Sequence, residues 1–271
     1  MAYIFENTPL PDIIELRNVS QTYDNGKTMI IKNLNLLIEA KPNQGQFVVI
    51  LGASGCGKST ILRYIAGLQQ PSSGEVFIKG KLREESDRVG MVFQQYSSFP
   101  WMTVLDNVAL GLEFKGVPTK ERHESAMEMI KIVGLEGQEK KYAKYPTLSG
   151  GQLQRVAIAR SLLINQEIIL LDEPFGALDI YTRLKMQDFI IDIWQKVHPT
   201  FVLVTHDISE AVYLGDDIYI MSANPGEIVD YISTDHPDNR TKEIKRTQAF
   251  VDKLYYIEDK MIHLQNTSLK N

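Results

Sequence analysis

A single cysteine, Cys56, occurs in the 271-residue chain, which excludes an internal disulfide and fits a reducing cytoplasm. No apolar run approaches the roughly 20 residues that cross a bilayer as a helix. The compact runs Phe47–Leu51 and Ile168–Leu171 have the length of buried strands. An excess of positive charge is also lacking. The formal net charge is −5, the wrong sign for a chain built to neutralise nucleic-acid phosphates, so no nucleic-acid partner is expected. The stretch Met1–Asp12 carries Glu6 and two prolines in place of the basic start and apolar core of a signal peptide. Internal repeats and low-complexity tracts are absent as well.

What is present is an alternation of short apolar runs and helical patterns. Ile13–Ile38 reads as a hairpin-rich β region around Asp24-Asn25-Gly26. Phe47–Leu51 reads as a strand, followed by a glycine-rich loop and a helix over Ser59–Gly67. Gly74–Ile78 and Val89–Phe93 read as further strands. Trp101–Tyr145 turns helical, with breaks near Gly116-Val117-Pro118 and Gly134. Then come a helix over Gln152–Ile164, a strand at Ile168–Leu171 and an amphipathic helix over Thr182–Lys196. Strands at Phe201–Thr205, Ile218–Met221 and Glu227–Ile232 complete the series. Repeated strand–loop–helix units imply a parallel sheet covered by helices, with ligands at the carboxyl ends of its strands.

The chemistry-bearing motifs begin where predicted strands end. Gly52-Ala53-Ser54-Gly55-Cys56-Gly57-Lys58-Ser59 matches G-x-x-x-x-G-K-[ST] and leads into Thr60. Its glycines let successive N–H groups turn inward toward phosphate oxygens, and the following helix adds its positive end. Lys58 is placed to bridge β- and γ-phosphates, and the Ser59 hydroxyl to ligate Mg²⁺. A chance glycine turn would lack the flanking strand and helix. Cys56 has a second reading as a reactive thiol at a helix start.

Ile168–Asp172-Glu173-Pro174 is a buried strand ending in adjacent acids. Neighbouring strand residues face opposite ways, so the two acids need not share a task. Asp172 is the candidate Mg²⁺ partner, and Glu173 the candidate general base or water-positioning group. A turn or capping acid is the bland alternative.

Leu148-Ser149-Gly150-Gly151-Gln152-Leu153-Gln154-Arg155 resembles the signature of ATP-binding-cassette ATPases. Physically it is another helix N-terminus with free N–H groups. The resemblance implies a RecA-like phosphate-loop core with a parallel sheet, an antiparallel β subdomain and a helical subdomain. It also implies a head-to-tail pair of subunits that sandwich two ATP molecules, with Leu148, Ser149, Gly150, Gly151 and Gln152 acting in trans. Within it, Gln94 corresponds to the glutamine that senses Mg²⁺ and the attacking water. Asp179 in Ala177-Leu178-Asp179 lies in the loop that couples the two sites. His206 matches the switch histidine on the γ-phosphate, and Tyr23 the aromatic that stacks on adenine. A packing aromatic and a structural histidine are the alternatives for Tyr23 and His206.

The resemblance spans roughly Ile13 to Ile232 and assigns 13–235 to the nucleotide-binding domain. Residues 97–165 form its helical subdomain, and 236–271 a C-terminal helical tail. Glu39–Gln46 is a few residues longer than usual. The family's DNA-organising members insert long coiled coils between phosphate loop and signature; the interval from Lys58 to Leu148 is too short and lacks heptads. Ribosome-associated members carry two cassettes, and a guanine-reading Asn-Lys-x-Asp is missing. The expected role is therefore an ATPase subunit, peripheral on the cytoplasmic face of the membrane. Its expected partners are a second ATPase subunit, integral membrane permease subunits and a solute-binding protein. A soluble ATPase acting on a macromolecule is the alternative.

Val92–Val108 and Met221–Val229 resemble nitrate, sulfonate, taurine and bicarbonate importers. Phe99, Pro100, Trp101 and Met102 either line the permease groove or bury Trp101 in its own subdomain. In the tail, Phe250, Leu254, Ile257, Met261 and Leu264 share one helical stripe, to be packed on the domain or on a partner. Arg240, Lys242, Lys245 and Arg246 read as a solvated face, with a lipid-binding patch as the alternative.

Overall fold

The computed structural model describes residues 12–41, 45–84, 87, 89–95, 97–164, 167–234 and 240–268. The N-terminal stretch 1–11, residues 42–44 of the lengthened approach, Tyr96, the 165 end of the helical subdomain and the 235/236 boundary lie outside them. In chain order the strands and helices are β1 (Ile14–Tyr23), β2 (Thr28–Ile38), β3 (Phe47–Gly52), α1 (Lys58–Ala66), β4 (Ser73–Ile78), β5 (Lys81–Leu82) and β6 (Gly90–Val92). There follow α2 (Val104–Phe114), α3 (Thr119–Ile132), α4 (Gly150–Leu163), β7 (Ile168–Asp172), α5 (Ile180–Val197) and β8 (Thr200–Thr205). The chain continues with α6 (Ile208–Leu214), β9 (Asp217–Met221), β10 (Ile228–Ser233) and α7 (Gln248–Ser268).

Two sheets result. β2-β1-β4-β5 is antiparallel, and β1 and β2 are joined through the expected Asp24–Gly26 turn. The larger sheet has the order β10-β9-β3-β8-β7-β6, parallel except for β10. Every residue of β3, β7 and β8 is buried. This is why these strands read as unbroken apolar runs: a parallel sheet is covered on both faces. The side chains alternate accordingly. Phe47, Val49 and Leu51 join Leu171, Leu203 and the helical subdomain in one core. Val48 and Ile50 join Leu170, Val202 and the antiparallel sheet in the other. Each such side chain contributes about 1.5–3 kcal/mol of burial.

The register of the sheet assembles the motifs. Leu51 pairs with Thr205 and Asp172 with Val204, so three strands end at one level. The phosphate loop, the acid pair and His206 all leave from that edge, as expected for open α/β sheets.

The helical segment divides as its breaks predict. Gly116 adopts φ 76° after α2, and α3 starts beyond Pro118. Thr103 caps α2 by accepting from the Asp106 N–H. Inside this unit Asn107 is buried. Its Oδ1 accepts from Phe99 N–H at 2.8 Å, and its amide donates to Phe99 O at 3.0 Å and Thr103 O at 2.9 Å. The turn so fixed leaves Trp101 70% exposed, its ring tilted 51° against that of Phe99 with centroids 5.3 Å apart. Of the two readings for Trp101, burial in its own subdomain is therefore the one that fails.

The tail stripe packs inward. Phe250 and Ile257 belong to the main core, with Leu254, Met261 and Leu264 against it. The basic cluster departs from the expected solvated face. Lys242 and Arg246 are exposed, but the Arg240 side chain is 0% exposed. Its guanidinium lies 4.8 Å from the Trp194 ring, pairs with Asp216 and donates to Leu214 O. A planar cation with apolar faces can be buried between an aromatic and a carboxylate, which charge counting alone does not reveal. Lys245 is half-buried as well.

Candidate functional site

The loop after β3 is shaped by Gly55 (φ 82°) and Gly57 (φ 106°), a region of backbone space that side chains disfavour. Gly57 caps α1, and Thr60 N–H donates to Gly57 O at 3.0 Å in the first turn. Lys58 curls back inside this loop, 4% exposed. Its Nζ donates to Gly52 O at 2.8 Å and Ala53 O at 2.9 Å, and stands 3.7 Å from Glu173 Oε1. Ala53 and Ser54 continue the loop ahead of Gly55. Cys56 is buried, and desolvation raises its thiol pKa despite the neighbouring Lys58. A buried thiol held protonated is a poor nucleophile, so the reactive-thiol reading loses to packing.

Ser59 Oγ donates to Asp172 Oδ1 at 2.7 Å. Burial raises the Asp172 pKa, and the Ser59 hydrogen bond opposes that shift. A hydroxyl and a carboxylate side by side are two hard oxygen donors that suit Mg²⁺, which takes one or two protein ligands and fills its shell with water and phosphate. Among the described residues no cluster of three acidic, histidine or cysteine ligands exists. Gln94 follows β6 with its amide nitrogen 3.2 Å from where a side chain on Gly176 would begin. It thus borders the turn that opens at Glu173, whose carbonyl accepts from Gly176 N–H at 3.1 Å.

Glu173 leaves β7 with φ 42°, a left-handed conformation that costs a non-glycine residue about 1 kcal/mol. Its N–H donates to Val204 O at 3.1 Å, which ties the turn to β8. Its Oε2 lies 3.2 Å from His206 Nδ1, and the histidine ring is otherwise about half exposed. An acid and an imidazole in contact at the mouth of a phosphate cradle can orient and deprotonate a water.

The signature is placed elsewhere on the same domain. Leu148 is buried, and Ser149 and Gln152 form a reciprocal capping box at the start of α4. Gly150 and Gly151 make the first turn, with Gly151 against Thr182 of α5. The cleft in front of it is lined by Ser149, Gly151, Gln152, Tyr181, Thr182 and Lys185 among others, with no phosphate-loop residue. Asp179 caps α5 beside that cleft and accepts from Thr182 N–H at 3.1 Å; hydrogen bonds from the Thr182 side chain and then from its N–H hold the carboxyl pKa low. Tyr23 ends β1 half exposed, its hydroxyl accepting from Gln69 Nε2 at 3.1 Å. Hence Lys58, Ser59, Gln94, Asp172, Glu173 and His206 converge, whereas the signature and Asp179 form a second group.

Sequence reasoning missed Gly226. It pairs with Ile31 across the outside of the phosphate loop, and a Cβ there would sit 2.1 Å from Cys56 O. Only a glycine allows that approach; the Pro225-Gly226 pair was the available signal.

The ABC transporter family pattern matches residues 26–176. The nitrate import ATP-binding protein NrtD of Synechocystis sp. is 45% identical over 233 residues, covering 83% of this chain and 85% of that protein. The aliphatic sulfonates import ATP-binding protein SsuB of Bacillus subtilis is 43% identical over 231 residues, covering 84% and 87%. Among solved structures, the dimeric ATP-binding cassette MJ0796 in a post-hydrolysis state bound to ADP and Pi superposes with a TM-score of 0.69. It is 37% identical and covers 83% of this chain and 100% of that one. The cradle, the acid pair and the signature thus stand in a chain that belongs to the ABC transporter family, as its ATP-hydrolysing subunit.

Proposed function

We propose that two copies of this subunit close head-to-tail on ATP and power a separate membrane permease that imports a small anion of the nitrate, sulfonate or taurine type. The observation that carries the dimer is the separation of the two halves of the site. The signature helix starts at Gly150 and Gly151 on a cleft that contains no phosphate-loop residue, so the positive end of that helix is available to a second subunit's nucleotide. The MJ0796 cassette, a dimer in a post-hydrolysis state bound to ADP and Pi, supports the same arrangement.

In this reading Lys58 exchanges its carbonyl partners Gly52 and Ala53 for β- and γ-phosphate oxygens. The loop amides from Gly52 to Thr60 hold the triphosphate, and Tyr23 stacks on adenine. Ser59, Asp172 and Gln94 would hold Mg²⁺, which neutralises developing phosphate charge when bound. Glu173 accepts the proton of the attacking water, and His206 fixes the carboxylate and reaches the γ-phosphate. Leu148, Ser149, Gly150, Gly151 and Gln152 close on the partner's ATP, and Asp179 couples the two sites.

The anion class rests on the nitrate and sulfonate import names of the relatives. The peripheral membrane placement rests on their role and on the lack, among the described residues, of any helix long and apolar enough to cross a membrane. The exposed Trp101, in the turn that Asn107 fixes through Phe99 and Thr103, supports a permease groove along Phe99–Met102. Affinity purification of tagged Glu173→Gln from detergent-solubilised native membranes with Mg-ATP tests the reading. Recovery of a multi-span permease is expected, and its solute-binding protein can then be screened with nitrate and sulfonates. Dimers without any membrane partner would favour a soluble ATPase acting on a macromolecule.

A further inference from the structure

A chain of buried polar contacts runs from the catalytic edge of the sheet to the C-terminal tail. Thr205, the last residue of β8, stands next to His206. Its hydroxyl donates to Glu210 Oε2 at 2.6 Å and accepts from Asp207 N–H at 3.1 Å. That hydroxyl thus donates on one side and accepts on the other, and the turn carrying His206 is pinned between the two partners. The other oxygen of Glu210 accepts from Gln187 Nε2 at 3.4 Å. The Gln187 carbonyl in turn accepts from Lys245 Nζ at 2.8 Å. Lys245 belongs to the 3-10 turn Lys242–Arg246, which joins the cassette to α7. Its ammonium also lies 3.7 Å from the centre of the Tyr213 ring.

Thr205, Glu210 and Gln187 are each at least nine-tenths buried. Burial raises the Glu210 pKa and lowers that of Lys245, so neither group is cheaply charged alone. Such groups are held in place by one another, and a network of this kind fixes geometry more firmly than apolar contacts of equal area. Removing its far end loosens the near one, because Gln187 loses the donor that orients its amide.

We propose that Lys245 is a positioning residue for hydrolysis: through Gln187 and Glu210 the tail holds the Thr205–Asp207 turn that presents His206 to Glu173. The tail is then part of the ATPase, and its docking on the cassette sets how well the switch histidine is aligned. This rests on the reading of Glu173 and His206 as the hydrolytic pair.

The test is steady-state ATP hydrolysis and nucleotide affinity for Lys245→Met, Lys245→Arg, Gln187→Met and the Lys245→Met/Gln187→Met double variant, beside His206→Ala. Lys245→Met is expected to lower kcat about 5- to 30-fold, in the range of coupling effects carried by side-chain networks, with KM for ATP within about twofold. Lys245→Arg keeps a cation on Tyr213 and a donor for Gln187, and restores most of the rate. The double variant is no slower than the slower single one, because both cut the same path. A Phe250→Leu variant, which loosens tail packing without touching the path, keeps kcat even where it lowers Tm as much. Loss of kcat in Phe250→Leu equal to that in Lys245→Met would reduce the effect to stability and overturn the proposal. If His206→Ala abolishes turnover while Lys245→Met turns over at the wild-type rate, the proposal alone falls. Full turnover in His206→Ala would remove the hydrolytic pair and this inference with it.

Discussion

Ser59 Oγ donates to Asp172 Oδ1 at 2.7 Å across 113 residues of sequence. The contact joins the first turn of α1 to the end of β7 and places both oxygens where the phosphate loop opens. Ser59→Ala removes one of them and leaves the buried Asp172 without its donor. The concentration of Mg²⁺ giving half-maximal ATP hydrolysis should rise about tenfold or more, in line with the cost of disturbing metal-site partners. A Mg²⁺ titration at saturating ATP measures this, and an unchanged midpoint would remove Ser59 from the metal site.

Glu173 is the acid in contact with His206, and its neutral isostere keeps the shape of the site. Glu173→Gln should lose about 10²–10⁴ in hydrolysis while binding ATP as before. Phosphate release together with ATP titration by fluorescence separates the two quantities. Full turnover would exclude Glu173 as the base.

Lys58 contributes through binding. Its ammonium is already desolvated inside the loop, so the move to phosphate oxygens costs little further dehydration. Lys58→Ala should weaken ATP affinity by about tenfold or more, the loss of one charge-assisted hydrogen bond pair. Calorimetric titration checks it, and unchanged affinity would contradict the role.

Much of this was legible in the sequence because the relevant features are local. Continuous apolar runs marked β3, β7 and β8, and the glycine spacing marked the loop, each through short-range rules of backbone and burial. Asn107, Gly226 and Arg240 were not legible. Their roles depend on what lies opposite them in space: the Phe99–Thr103 turn, the Cys56 carbonyl, and Trp194 with Asp216. Helix α6 was missed for a related reason. It is a short helix started by Asp207, whose side chain accepts from Ser209 and Glu210 N–H, and its apolar residues are too few to show a period.

Glu210 makes stability depend on pH. Burial raises its carboxyl pKa, Asp207 adds to the rise, and Thr205, Arg183 and Gln187 oppose it. A raised carboxyl binds its proton more tightly in the fold than in the unfolded chain. Its contribution is therefore complete below the ordinary glutamate value of about 4.3 and is lost as pH rises through the higher folded value. Glu210→Gln cannot ionise and lacks that loss. Thermal melts from about pH 4 to pH 7 should show the Tm of the variant gaining on the wild type as pH rises. Parallel curves would contradict the buried, raised carboxyl.

In the proposed function one chain holds half of each active site, and ATP joins two of them. Light scattering on purified Glu173→Gln tests it directly, with Mg-ATP and then with ADP. Twice the chain mass of 30.8 kDa with ATP, reverting to a monomer with ADP or when Ser149→Arg blocks the signature cleft, is the predicted result. A monomer at saturating ATP, with the nucleotide bound, would contradict a signature acting in trans.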